Sequence, residues 1–285
     1  WQGVLWNRNL GVDSSVLYPE YWTDPAIALC PSDPRGDYFG KLYGIEQDFP
    51  AQVARIAAQS VNTNRRCLNF MLSNPISYLY MAKLVKTSSQ FLDAWSGFNW
   101  WFTVPEYLTG TVARPAVNLN TNQGCSFDTT VITGVWDLMD APKVRSEDIK
   151  GFFSSDPSQA STWCDDDGNL LPQKYMHLKE GIERFLITDI NNPAASAQAQ
   201  STVVTMLDAF SDRGISQSNY PQMNGVLLFN HLPGGSNVLY MDGHVEFLKW
   251  GSKFPLKNGP AGGANGRLYL GYYLSLWASE MGGAG

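Results

Sequence analysis

The chain is short of charge and of histidine: charged residues fill 16% of 285 positions, and only three histidines occur. No apolar run approaches the roughly 20 residues of a spanning helix, so no membrane span is expected in this chain. Lys and Arg make no cluster beyond Arg65-Arg66, and the net charge of -6 with a pI near 5.0 argues against nucleic acid or an anionic membrane as partner. No Cys-x-x-Cys pair suggests zinc or a thioredoxin-like site, and no Gly-x-Ser-x-Gly identifies a nucleophile. Internal repeats and low-complexity tracts are missing too. Neither a signal peptide nor an initiator Met precedes Trp1, so a processed or trimmed product is expected.

What is plentiful is apolar and aromatic. Apolar residues make up 44% and aromatics 13%, with ten tryptophans, which describes a folded chain long enough to bury a real core. Low charge with so much aromatic surface implies that a partner covers part of it. Four cysteines, Cys30, Cys67, Cys125 and Cys164, fit two disulfides outside the cytoplasm. Three connectivities exist; local nesting favours Cys30 with Cys67 and Cys125 with Cys164, and four reduced thiols are the other reading.

The first 66 or so residues place Trp, Tyr and Pro irregularly, as packed loops do. Asp48 can cap a helix with Pro50 in its first turn and Val53, Ile56 and Ala57 on one face, ending near Ser60. "CLNFMLSNPISYLYMAKLV" reads as a strand or two. The block holding Phe98, Trp100, Trp101 and Phe102 is core or interface, or a platform for stacking on sugars; no strand alternation puts its rings on one face. Residues 116–175 read as a polar, loop-rich insertion stapled by a disulfide, between an aromatic part at 1–115 and a sheet with an apolar tail at 176–285, all in one compact unit. "GIERFLITDI" and "TVVTMLDAF" read as strands, with a short helix capped by Asn192 and opened by Pro193 between them.

In "FNHLPGGSNVLYMDGHVEFLKW" a two-residue Asp242-Gly243 link between alternating apolar runs is a strong hairpin signal, because the turn needs a positive φ. Gly234-Gly235 closes an earlier hairpin, so a three-stranded meander is expected. His231 and His244 then lie at opposite ends of the middle strand, about 20 Å apart at roughly 3.4 Å per residue. They are too distant to share an ion with Asp242.

The stretch "NHLPGGSNVLYMDGHVEF" resembles the C-terminal signature of the bacterial prepilin-type, processing-associated family of planctomycete-like lineages, in which a His is followed by nine residues and an Asp-Gly. Ten residues separate His231 from Asp242 here. "YPEYWTDPAIALCPSDP", which contains Cys30, and "ERFLITDINNPAASAQAQS" also look like that family. The resemblance implies an α+β, pilin-like or pseudopilin-like head around an antiparallel sheet, carried on an N-terminal hydrophobic helix that is absent from this chain. It also implies an extracellular or cell-surface subunit that polymerises with itself and has no catalytic residues.

Heads of the major-pseudopilin kind hold structural calcium, so two acidic groups are candidates for that ion. "CDDDGN" presents Asp165, Asp167 and Asn169 as a calcium loop begins, although Met176 stands where a bidentate Glu would follow. Asp189, Asp208 and His231 each end an apolar run and would meet if those strands ended together. Contacts between subunits are expected from Trp1 and Trp6 and from Leu276 and Trp277 in the tail. Two other functions fit the residues: surface-glycan binding through Trp100 and Trp101, and hydrolysis by the Asp165 to Asp167 carboxylates.

Overall fold

The computed structural model describes residues 17–32, 49–58, 77–101, 125–127, 130–132, 148–151, 153–154, 162–182, 199–212, 227–257 and 268–269. It contains both helices and antiparallel sheet, the α+β class. A 3-10 turn, Pro25–Ala28, is opened by Asp24, whose carboxylate accepts from the Ala26 amide. Helix α1, Phe49–Ala58, lies where the Asp48 cap and Pro50 foretold it, with Val53 fully buried.

The central element is a four-stranded antiparallel sheet. Its strands, in chain order, are β1 (Tyr78–Tyr80), β7 (Val204–Asp208), β10 (Gly235–Tyr240) and β11 (Val245–Lys249), and that is also their order across the sheet. Between β1 and β7 come helix α2 (Ser88–Trp101) and the short strands β2 (Cys125–Phe127), β3 (Thr130–Ile132), β4 (Ile149–Lys150), β5 (Trp163–Cys164) and β6 (Lys174–Tyr175). After β7 come β8 (Phe210–Asp212) and β9 (Leu227–Phe229), which pair with each other, and finally β12 (Leu268–Tyr269), parallel to β5. No helix among the described residues is long and apolar enough to cross a membrane.

Alternation along the strands sends Leu79, Leu207, Val238 and Leu248 into one core. The same core takes Phe91 and Leu92 from α2 and Ile149, Leu171 and Tyr175 from the stretch that reads as a polar insertion. The described residues between 148 and 175 are therefore part of the core's filling. Phe210, Phe229 and Trp250 form a ring cluster with centroids 5.5 to 5.9 Å apart, which fastens the β8–β9 hairpin to the end of β11.

Two expectations about the sheet change. The β10–β11 hairpin forms, but its loop is three residues, Met241 to Gly243: the Tyr240 amide bonds to the His244 carbonyl, and the Gly243 amide to the Tyr240 carbonyl. Gly243 takes φ 91°, the left-handed residue such a loop requires. The expected meander does not form, because β9 pairs with β8 and β10 takes β7 as its second neighbour. Only a single bridge, His231 to Gly235, remains where the "LPGG" hairpin was expected. The aromatic block, whose strand alternation failed, is the end of helix α2.

Helix α2 enters the core with polar residues. Ser88, Ser89, Gln90 and Asp93 are all buried, so their partners must come from the protein. Asp93 accepts from the Phe153 amide (2.6 Å), the Ser154 amide (3.3 Å), Ser154 Oγ (2.6 Å) and the Tyr175 hydroxyl (2.8 Å). Asp93→Ala should lower the urea-unfolding free energy by about 3 kcal/mol or more, since each stranded buried donor costs about 1–3 kcal/mol. Burial, the largest influence, holds the Asp93 carboxyl above the ordinary carboxylate range although four hydrogen bonds pull it down. A carboxyl raised in the folded state contributes fully below its unfolded pKa, and that contribution fades as pH rises through the folded one. Asp93→Asn keeps an acceptor and removes this titration, so its stability relative to the native chain should improve from about pH 4 to about pH 7. A difference that stays flat would show that Asp93 titrates as in the unfolded chain.

Candidate functional site

Two of the stretches that carry the family resemblance, those of Cys30 and His231, meet at one end of the sheet; most of the third, 183–198, lies outside the described residues. β7 ends at Asp208, and β10 begins four residues after His231. Antiparallel pairing sets these ends together, and the His231 Nε2 lies 3.1 Å from Asp208 Oδ2. Asp208 Oδ2 also accepts from the Asn237 amide (2.8 Å) and from Asn237 Nδ2 (3.0 Å). The third member comes from far away in sequence: Cys30 Sγ is 3.7 Å from the same His231 Nε2. Asp208 is buried, Cys30 nearly so, and His231 half-buried.

The chemistry of this cluster follows from its one shared nitrogen. A nucleophilic triad uses both imidazole nitrogens, one toward the nucleophile and one toward the carboxylate that orients the ring. Here thiol and carboxylate both face Nε2, which is not the two-nitrogen arrangement of such a triad. The cluster ties the N-terminal segment to the sheet.

Of the three residues expected to converge, Asp208 and His231 do so, and Asp189 lies outside the described residues. Among the described residues no group of three or more His, Cys, Asp or Glu is placed to hold a metal ion. The acidic loop shows why. Asp165 Oδ1 accepts from the amides of Asp167 (3.1 Å) and Asn169 (2.8 Å), and its Oδ2 accepts from Gln90 Nε2 at 3.3 Å. Asp166, a residue the calcium reading passed over, caps α2: it accepts from the Ser88 amide (3.2 Å), the Ser89 amide (3.0 Å) and Ser89 Oγ (2.7 Å). The neighbouring carboxylates Asp165 and Asp166 thus turn to different partners inside the protein.

The disulfide expectation is corrected. No disulfide is formed among the described residues; Cys30 and Cys164 are buried thiols, one against His231 and the other in β5. Each preferred pair contains one of them, so neither pair exists. The side chains of Cys67 and Cys125 lie outside the described residues.

At the far end of the hairpin His244 bonds Asp242 (2.6 Å) and stacks on Tyr240 with centroids 4.3 Å apart. The His244 amide and ring hold the exposed Asp242 carboxyl below the usual range. His231 and His244 serve separate ends of β10, as their spacing required. Trp100 and Trp101 end α2, but their side chains lie outside the described residues, as do Trp1, Trp6, Leu276 and Trp277. The tail's Leu268 and Tyr269 pair with β5 of their own chain.

Comparison with known family models, curated proteins and solved structures found no match.

Two outcomes follow from this geometry. Asp208→Ala takes the acceptor from the half-buried Asn237 amide and should cost about 1 kcal/mol in urea unfolding, while Cys30 reacts faster with a thiol reagent as His231 loses its anchor. Unchanged Cys30 protection would mean the joint is held elsewhere. Calcium at about 1 mM, the weak end of the range for extracellular modules, should leave the melting temperature unmoved. A rise of several degrees would reinstate the ion.

Proposed function

We propose that this chain is the head of an extracellular, pilin-like structural subunit that assembles with copies of itself. The observation that supports it most is the joint just described. Cys30, from one stretch resembling the prepilin-type family, packs on His231 from another, and Asp208 holds His231. The signature residues are accounted for by architecture: His231 fixes one end of β10 and the Asp242-Gly243 turn fixes the other. A motif spent on folding suits a scaffold protein better than an enzyme. Secretion and the pilin-like character rest on the resemblance, and self-association is favoured by large apolar side chains left exposed on the sheet, Val245 at 61% and Phe247 at 38%.

Negative-stain electron microscopy of the protein released by its host tests the reading. Regular filaments, tubes or layers are expected, and discrete particles at every concentration would refute it.

A further inference from the structure

Strand β11 is the last in its sheet, and among the described residues no strand pairs with its far side. Its hydrogen-bond phase can be read from its two ends. The His244 carbonyl accepts from the Tyr240 amide, and the Trp250 amide donates to the Gly234 carbonyl, so even-numbered residues face β10. A Cβ on Gly235 would run into the Leu248 carbonyl, which points the same way. Val245, Phe247 and Lys249 therefore turn their amides and carbonyls outward. Their side chains share one face of the sheet, the face away from Leu248 and the core. The strand is regular and carries neither a proline nor a bulge, and Lys249 at its end is its one outward-facing charge.

We propose that β11 pairs antiparallel with β11 of a second copy of this chain, about a two-fold axis through Phe247. The proposal rests on the self-assembly reading above and names the surface that reading uses. Three features select the partner and the register. With the axis on Phe247, all three outward residues are used: Phe247 faces Phe247, and each Val245 faces a Lys249 whose aliphatic stem can cover it. An axis on Glu246 would set Glu against Glu, one on Lys249 would set Lys against Lys, and one on Leu248 would leave Val245 unused. The Lys249 carbonyl already accepts from the Ser252 amide and Oγ, so the contact is carried by four bonds: the Phe247 pair and the two from Lys249 amides to Val245 carbonyls.

Charge points the same way. The chain carries -6 overall, which sets most of its surface against a copy of itself. Along β11, Glu246 is neutralised by Lys253 at 2.6 Å, and Lys249 forms no ion pair among the described residues. The edge is thus an apolar strip with a spare positive charge on an acidic molecule. A two-fold contact closes on itself, so it makes a dimer; longer assemblies need a second, different contact.

The test compares oligomeric state, cross-linking and assembly. Phe247→Pro removes an amide that points outward, which an edge strand tolerates, and far-UV circular dichroism checks that it folds. By sedimentation velocity the native chain should reach twice its monomer mass, and the Phe247→Pro variant should stay monomeric at the same concentration. Phe247→Cys should form an intermolecular disulfide under mild oxidation that the native chain does not. Val245→Cys should not, because the two 245 positions stand about 14 Å apart in this register at about 3.4 Å per residue. Val245→Cys with Lys249→Cys should restore cross-linking. A monomeric native chain, or equal cross-linking from 245 and 247, overturns the proposal. Filaments unaffected by Phe247→Pro overturn it too and leave self-assembly standing; dimers without filaments sustain it and defeat the filament reading.

Discussion

The first turns of helix α2 are polar and buried, and much of the molecule is arranged to meet that demand. A helix start exposes amides without partners, and in a dry interior each must be answered by the protein. Thr87 Oγ answers the Gln90 amide, and Gln90 Oε1 turns back to the Lys86 amide. Asp166, 78 positions later, answers Ser88, while Asp93 gathers donors from 153, 154 and 175. Ser88 Oγ also donates to the Lys257 carbonyl, tying the helix to the segment after β11. An apolar helix could slide against the sheet; this one is fixed in place by directional bonds.

This explains the character of the stretch from 148 to 175. Among its described residues it forms only the two-residue pieces β4, β5 and β6, too little regular structure to be stable alone. It is held by what it supplies: Ile149, Leu171 and Tyr175 to the core, and Asp165, Asp166 and Ser154 to the helix. The acidity of "CDDDGN" is put to electrostatic use at the positive end of a helix, where a carboxylate is favoured without any cation.

Where local chemistry decided the structure, the sequence was readable. Pro50 after Asp48 located α1, and the Asp-Gly between alternating runs located the β10–β11 hairpin. Helix α2 opens with the capping-box pattern Thr87-Ser88-Ser89-Gln90, but its buried first turns are polar, so no apolar stripe marks it in the sequence. Pairing of β9 with β8 was not readable: a Gly-Gly turn predicts a neighbour but cannot show that β7 competes for the same edge of β10 and wins. Cys30 beside His231 is a contact across 201 positions, which no spacing rule reaches. In the acidic loop the oxygens of Asp165 and Asp166 turn to the loop's own amides and to α2, and these partners depend on tertiary placement.

The signature spacing has a geometric meaning that bears on its extra residue. His231 must reach Asp208 at one end of β10 while the turn at Gly243 closes the other. Adding a residue inside β10 would reverse every side chain beyond it, putting Val238 and Tyr240 on the outer face and Leu239 in the core. The strand itself cannot absorb a change of one. The irregularity in its pairing with β7 also leaves β10 intact: Leu239 pairs with Met206 and Tyr240 with Val204, so the surplus residue is Thr205 of β7. What remains is the segment between His231 and Gly235, a turn bridged at its two ends, with Leu232 at its tip almost fully exposed. A turn of this kind can lengthen by one residue without moving the histidine or the strand phase. The constraint is therefore on the ends of β10 and not on a fixed count between them, and a His to Asp-Gly spacing of ten is compatible with the architecture that a spacing of nine would specify.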